Sequence, residues 1–208
     1  MANPFQVVRD FEAALCEYTG AKYAVSVNSC TMALLLAVAW QARDFVTMGV
    51  PYRAYVEIPK RTYVGVPMSI IHAGGYPVFR DEVWLGEYQL KQLPVWDSAR
   101  RFTSGMYRPG AFQCVSFHAS KILADSQGGC ILHDNGAADA WLRRARFDGR
   151  AEGVAPIDDH FTMLGWHCYM SPDVAARLLH KLSVLPKHNA PLPNDNYPDL
   201  SQFEIFKG

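Results

Sequence analysis

Several things are scarce in this chain of 208 residues, and each scarcity excludes something. The five cysteines (Cys16, Cys30, Cys114, Cys130, Cys168) are odd in number and scattered, with no C-x-x-C pair. That pattern argues against a disulfide framework and a zinc cluster, and it fits a reducing, cytoplasmic compartment. Excess charge is also lacking: 20 Lys plus Arg balance 20 Asp plus Glu. A neutral chain has no global attraction to nucleic acid or acidic membranes. The longest apolar run, Met32 to Trp40, is far below the roughly 18 residues needed to cross a bilayer. The opening Met1-Ala2-Asn3-Pro4 has no charged segment followed by an apolar one, so no signal peptide is expected. Neither repeats nor low-complexity tracts occur.

What is present is a chain half hydrophobic, enough for one domain with a true core and a small appendage. The pattern divides it into residues 1–150, an α/β domain, and 151–208, a helical segment with an extended tail rich in Pro and Asn. Phe5 to Tyr18 carries Phe11, Ala14 and Leu15 at helical spacing, and Gly20 ends it. Tyr23 to Val27 reads as a strand, and Asn28-Ser29-Cys30-Thr31 caps an apolar helix to about Trp40. Strands are expected at Tyr55–Ile58, Tyr76–Phe79, Pro94–Trp96, Gln113–Phe117 and Gly129–Leu132. Tyr76–Phe79 should lie at a sheet edge, because Pro77 cannot donate to a ladder. Helices are expected at Val66–Ala73, Ala137–Phe147 and Pro172–Leu185, the last with proline in its first turn. Strands alternating with helices imply a three-layer α/β/α domain with a mostly parallel sheet. Ligands of such sheets collect at the carboxyl ends of the strands, and Ser29, Asp97 and Lys121 all follow strands.

Four segments could carry chemistry. Ser29 and Cys30 stand at a strand-to-helix turn, where free N–H groups and the helix dipole suit a phosphate; an ordinary helix cap is the plainer alternative. Asp97 ends a buried strand, where an acid must be paired; a protonated pyridine nitrogen would pair it, as would Arg100 or Arg101. Lys121, in Ser116-Phe117-His118-Ala119-Ser120-Lys121, follows a strand and precedes Gly128-Gly129. A lysine so placed can meet an aldehyde, or can simply face solvent. Tyr63 could stack on a flat ring or sit in the core.

The order of these segments resembles the DegT/StrS family of sugar aminotransferases, enzymes of fold type I that use pyridoxal 5'-phosphate (PLP). Phe11 to Val25 is similar to the family's opening helix and strand, and Asn28-Ser29-Cys30-Thr31-Met32-Ala33-Leu34 to its N-S-G-T-x-A-L turn. Thr62-Tyr63-Val64 resembles T-[F/W/Y]-V, Trp96-Asp97-Ser98-Ala99 resembles E-D-x-A, and Ser116 to Lys121 resembles S-F-H-x-x-K, the most telling match. Gly165 to Ser171 is similar to G-x-N-x-R-M-S.

The resemblance implies a role for each matching residue. Lys121 would carry the cofactor as a Schiff base and shuttle protons; Asp97 would bind the pyridine nitrogen. Tyr63 would stack on the ring, Ser29, Cys30 and Ser116 would hold the phosphate, and Arg100 would lie near the ring hydroxyl. His167 stands where the family has an asparagine reaching the partner subunit's cofactor, which implies a homodimer with shared active sites. Tyr169 replaces the family's arginine. A strand and helix between Phe79 and Pro94 and most of the small C-terminal domain are missing from the pattern. Aminotransferase chemistry on a small amino substrate is the first expectation. A decarboxylase or related lyase acting on an amino acid attached to a nucleotide or DNA base is the alternative, with Arg143, Arg146 and Arg150 as a phosphate-facing helix surface. A binding module without activity is the third.

Overall fold

The computed structural model describes residues 3–47, 54–194 and 196–207. The elements in chain order are α1 (Gln6–Thr19), β1 (Tyr23–Val27), α2 (Cys30–Thr47), β2 (Tyr55–Pro59), α3 (Gly65–His72), β3 (Tyr76–Arg80), β4 (Tyr88–Leu90), β5 (Val95–Asp97), β6 (Phe112–Ser116), β7 (Gly129–His133), α4 (Gly136–Ala145) and α5 (Pro172–Ser183). Nearly all of these were expected from periodicity and caps; β4 was not.

Alternate strand residues enter two different cores, which is what makes the molecule three-layered. Val25, Val27, Cys114 and Ile131 face one core together with α2, α3 and α4 residues such as Leu36, Ile70 and Leu142. Ala24, Val115, Cys130 and Leu132 face the other, with Phe11 and Leu15 of α1 and Ala175 and Leu178 of α5. Helix α2 lies under the sheet with Leu34, Leu35, Leu36, Ala37 and Val38 all buried, its middle from Met32 to Trp40 apolar on every side as a central helix must be.

The main sheet runs β1-β7-β6-β5-β4, and β2-β3 form a second, parallel pair. A single bridge, Glu57 to Lys91, joins the two just beyond β4. Only β5–β6 is a parallel pair in the main sheet; β1–β7, β6–β7 and β4–β5 are antiparallel. The sheet is therefore mixed rather than parallel pair by pair. Yet β1, β2, β3, β5 and β6 all point one way, with β4 and β7 opposed, so the expected parallel character survives in the strand directions. As expected, β3 is an edge strand, paired among the described residues only with β2. No described helix is long and apolar enough to cross a membrane.

The segment after α5 is mostly extended, as Pro and Asn suggested, ending in short 3-10 turns at Leu200–Gln202 and Glu204–Phe206, but it does not hang loose. The Leu192 amide donates to the Arg100 carbonyl at 2.8 Å and the Leu200 amide to that of Lys60 at 2.8 Å. Leu200 and Phe206 are buried, Phe206 against Phe79. This strap links the loop after β5 to the end of β2.

Candidate active site

Because β1, β5 and β6 point the same way, their carboxyl ends open on one common space. A cavity of about 440 Å³ lies there, within the roughly 300–1,000 Å³ usual for small-molecule sites. Of the eight residues singled out from sequence, seven line it: Ser29, Cys30, Tyr63, Asp97, Arg100, Ser116 and Lys121.

The β1–α2 turn is built by close approach. Ser29 Oγ accepts from the Met32 amide at 3.2 Å, capping α2, so the cap alternative is realised without removing Ser29 from the cavity wall. The Cys30 and Thr31 amides, first-turn donors, have no partner among the described residues. β7 starts so near this turn that a Cβ on Gly129 would fall 2.5 Å from Cys30 N and Ser29 C. Only glycine fits there.

Asp97 ends β5 almost fully buried. Its two oxygens accept from the Ala99 amide at 2.9 Å and the Tyr88 hydroxyl at 2.9 Å. The Thr62 hydroxyl meets Tyr88 Oη at 2.5 Å, so a relay runs from Thr62 through Tyr88 to the acid. Burial raises the Asp97 carboxyl above its usual range, although these hydrogen bonds and the charges of Lys121 and Arg100 pull the other way. An acid in that state favours a cationic hydrogen-bond donor in the cavity.

Lys121 sits in the loop after β6, whose form is set from outside the cavity. Leu123 is buried in the α1–α5 core. The Asp125 amide donates to the Phe117 carbonyl at 2.8 Å. The Asp125 side chain takes Arg177 at 2.8 Å and Lys181 at 2.8 Å, both from α5. These cations hold the Asp125 carboxyl far below the usual carboxylate range. Helix α5 thus clamps the lysine loop. His118 and Ser120 of the same loop also line the cavity, their side chains 3.1 Å apart.

On the opposite side stand Tyr63, half exposed, and the start of α3. A Cβ on Gly65 would lie 2.9 Å from both Thr31 Oγ1 and the Tyr63 ring, so glycine lets the ring and two helix starts converge. Trp84 and Tyr197 complete the wall. Sequence reasoning missed Thr62, Trp84, Tyr88, Asp125 and Tyr197. Thr62 was signalled by its neighbour Tyr63; the others come together only through long-range contacts.

His167, expected to serve a partner's cofactor, lies outside this chain's cavity wall: its side chain is 69% exposed and its ring meets Asp148 at 2.8 Å. One expectation needs correction. The arginine face on α4 does not exist as a phosphate surface. α4 ends at Ala145, so Arg150 is not on it. Arg146 is buried against Glu12 and the Ser26 carbonyl. Arg143 is held by Glu12 and Asp139, and Arg150 lies over the Phe147 ring, 4.4 Å from its centroid. Spacing grouped Arg143 and Arg146 correctly but not Arg150, and it could not tell that the face those two share points inward to Glu12. Tyr169, in place of an arginine, packs among Phe5, Phe147 and His167.

Residues 2–90 match the model of the DegT/DnrJ/EryC1/StrS aminotransferase family. Over 224 aligned positions the chain is 35% identical to GDP-perosamine synthase of Caulobacter vibrioides, with 87% of this chain and 57% of that protein covered. It is 38% identical over 74 residues to the spore coat polysaccharide biosynthesis protein SpsC of Bacillus subtilis, covering 36% of this chain and 17% of that one. The chain thus spans little more than half of the first relative and less of the second. Among solved structures, the Helicobacter pylori aminotransferase PseC, involved in the biosynthesis of pseudoaminic acid, superposes with a TM-score of 0.69 at 16% identity, over 88% of this chain and 63% of that one. A DegT/DnrJ/EryC1/StrS aminotransferase from Brucella abortus superposes with a TM-score of 0.63 at 19% identity, over 86% and 58%. The fold is that of these fold type I proteins.

Proposed function

We propose that this chain, a relative of the DegT/DnrJ/EryC1/StrS aminotransferases that spans part of their length, is a PLP-dependent enzyme of aminotransferase type. One observation carries the reading: Lys121, Asp97 and the α2 turn line a single cavity. The donor set fits the cofactor. Ser29, Ser116 and the first-turn amides of Cys30 and Thr31 suit its phosphate. Asp97, disfavoured as a lone buried anion, suits a protonated ring nitrogen. Tyr63 suits its flat face, Arg100 its ring hydroxyl, and the Lys121 amine its aldehyde. When bound, the cofactor supplies an electron sink for a carbanion on an amino substrate.

The protein's own part is positional. Asp97 holds a proton on the ring nitrogen, with the Thr62–Tyr88 relay fixing the carboxylate. Lys121 Nζ takes up and returns the substrate proton, and the clamp of α5 on Asp125 keeps that amine in place. The reaction class exchanges an amino group for a carbonyl oxygen between two small molecules. His167, exposed and outside its own cavity, serves a second copy in a homodimer that shares active sites; light scattering of the purified chain tests that state. The five free cysteines suit a cytoplasmic setting.

The test is spectroscopic. Purified protein given PLP should develop a visible absorbance band, lost on borohydride reduction, with the reduced cofactor's mass on the Lys121 peptide. The Lys121→Ala variant should show neither. A band of equal strength in both proteins, or none in either, overturns this reading.

A further inference from the structure

Beyond the residues that suit the cofactor, one side chain enters the cavity from an unexpected part of the chain. Tyr197 lies far from every strand in sequence, on the strap anchored at Leu192 and Leu200. Its ring stacks on Trp84, with centroids 6.4 Å apart and planes 14° from parallel. Its hydroxyl stands 3.5 Å from an Arg100 guanidinium nitrogen, and its carbonyl accepts from Arg61 at 3.3 Å. A second tie holds the same wall: the Asn194 side-chain Nδ2 donates to the Trp84 carbonyl at 2.5 Å. Trp84 in turn packs on Tyr88, centroids 4.7 Å apart. The strap is therefore fixed to the site's own framework, and Tyr197 and Trp84 form one aromatic side of the cavity.

We propose that Tyr197 is a specificity-determining residue: its ring limits the width of compounds that reach Lys121. A rigid aromatic wall admits flat molecules of about one ring and turns away wider ones, since displacing it breaks the Trp84 stack and the strap's backbone hydrogen bonds. This inference rests on the reading of Lys121 as an amine accessible from the cavity, and its test separates the two.

The full chain without cofactor is treated with benzaldehyde, 1-naphthaldehyde or 1-pyrenecarboxaldehyde and cyanoborohydride. The lysine amine and the aldehyde lose water to form an imine; hydride and a proton then reduce it to a stable secondary amine. Peptide mass spectrometry reads the adduct at Lys121 against the surface lysines Lys22 and Lys207 in the same sample. In the parent, Lys121 should take benzaldehyde and discriminate against the two wider aldehydes. Tyr197→Ala should raise the naphthaldehyde-to-benzaldehyde ratio at Lys121 about fivefold, with Lys22 and Lys207 unchanged. Tyr197→Phe, which keeps the ring, should behave as the parent, and Asn194→Ala should give an intermediate rise. Thermal melts of all variants show that each is folded, and Tyr197→Ala removes only a half-buried side chain. A ratio unchanged in Tyr197→Ala overturns the inference while leaving Lys121 as the reactive amine. No Lys121 adduct from any aldehyde in any protein overturns the reading of the site, and this inference with it.

Discussion

Two buried acids, Glu12 and Asp97, are equally hidden and oppositely treated. Glu12, at 3% exposure, is met by Arg146 and Arg143, with Arg9 beside it, and accepts the Ser26 amide at 2.9 Å. That cluster joins α1, β1 and α4, and every charge in it is answered by another. Asp97, at 5%, receives direct hydrogen bonds from one amide and one hydroxyl, and it borders a cavity. The first arrangement finds its counter-charges within the chain. The second leaves the carboxyl facing open space. Burial alone does not distinguish structure from function; what the protein leaves for something else to neutralise does.

The largest expected effect comes from breaking the complete cluster. Arg146→Met removes a cation from a buried pair and should lower unfolding free energy by about 3–5 kcal/mol, read from urea titration. Adding Glu12→Leu should recover part of that loss, since an uncompensated charge and not the lost contact is the main penalty. A double variant less stable than Arg146→Met would show that the pair itself, rather than the orphaned carboxylate, matters.

Asp97→Asn should do the reverse, sparing the fold and emptying the site. PLP affinity should drop at least tenfold, about 1.4 kcal/mol, while stability stays within about 1 kcal/mol of the parent. The sign with pH follows from burial. A carboxyl raised in the folded state binds protons more readily there than when unfolded. Its stabilising contribution is therefore present below the unfolded value and lost as pH rises through the folded one. The stability of Asp97→Asn relative to the parent should increase with pH from about 4 upward; a flat difference between pH 4 and 7 would contradict the raised value.

The smallest effect is at the lysine clamp. Asp125 is lowered by Arg177 first and then by Lys181, so its contribution is present above the ordinary carboxylate value and lost as pH falls below it. Asp125→Asn should melt slightly earlier than the parent at pH 7, and the gap should begin to narrow below about pH 4, closing only as pH falls through the much lower folded-state value. Both cations are half exposed, so salt should narrow it as well. An equal gap at pH 3 and pH 7 would exclude the ion pairs as its source.

Much of this was legible in the sequence, for reasons that also mark where legibility ends. β1 is found at Tyr23–Val27 as read, because a short apolar run bounded by Gly20 and a polar cap has few alternatives. Seven cavity residues were found by their order along the chain. β4 was invisible because three residues between Glu87 and Lys91 carry no period. Arg143 and Arg146 were assigned to one face correctly but to solvent wrongly, since a charged face reads the same whether water or Glu12 answers it. Tyr197 had no signal, because its position depends on backbone hydrogen bonds to Lys60 and Arg100, far upstream.

The pairing of β1 with β7 has a consequence for how the molecule forms. Tyr23 lies opposite His133 and Val27 opposite Gly129, so the first strand made must wait for one of the last. Through that interval the apolar middle of α2, Met32 to Trp40, has no complete sheet to cover it. Contacts of such long sequence separation slow folding and prolong the exposure of sticky surface. The nascent chain should therefore be a client for chaperones until β7 emerges from the ribosome.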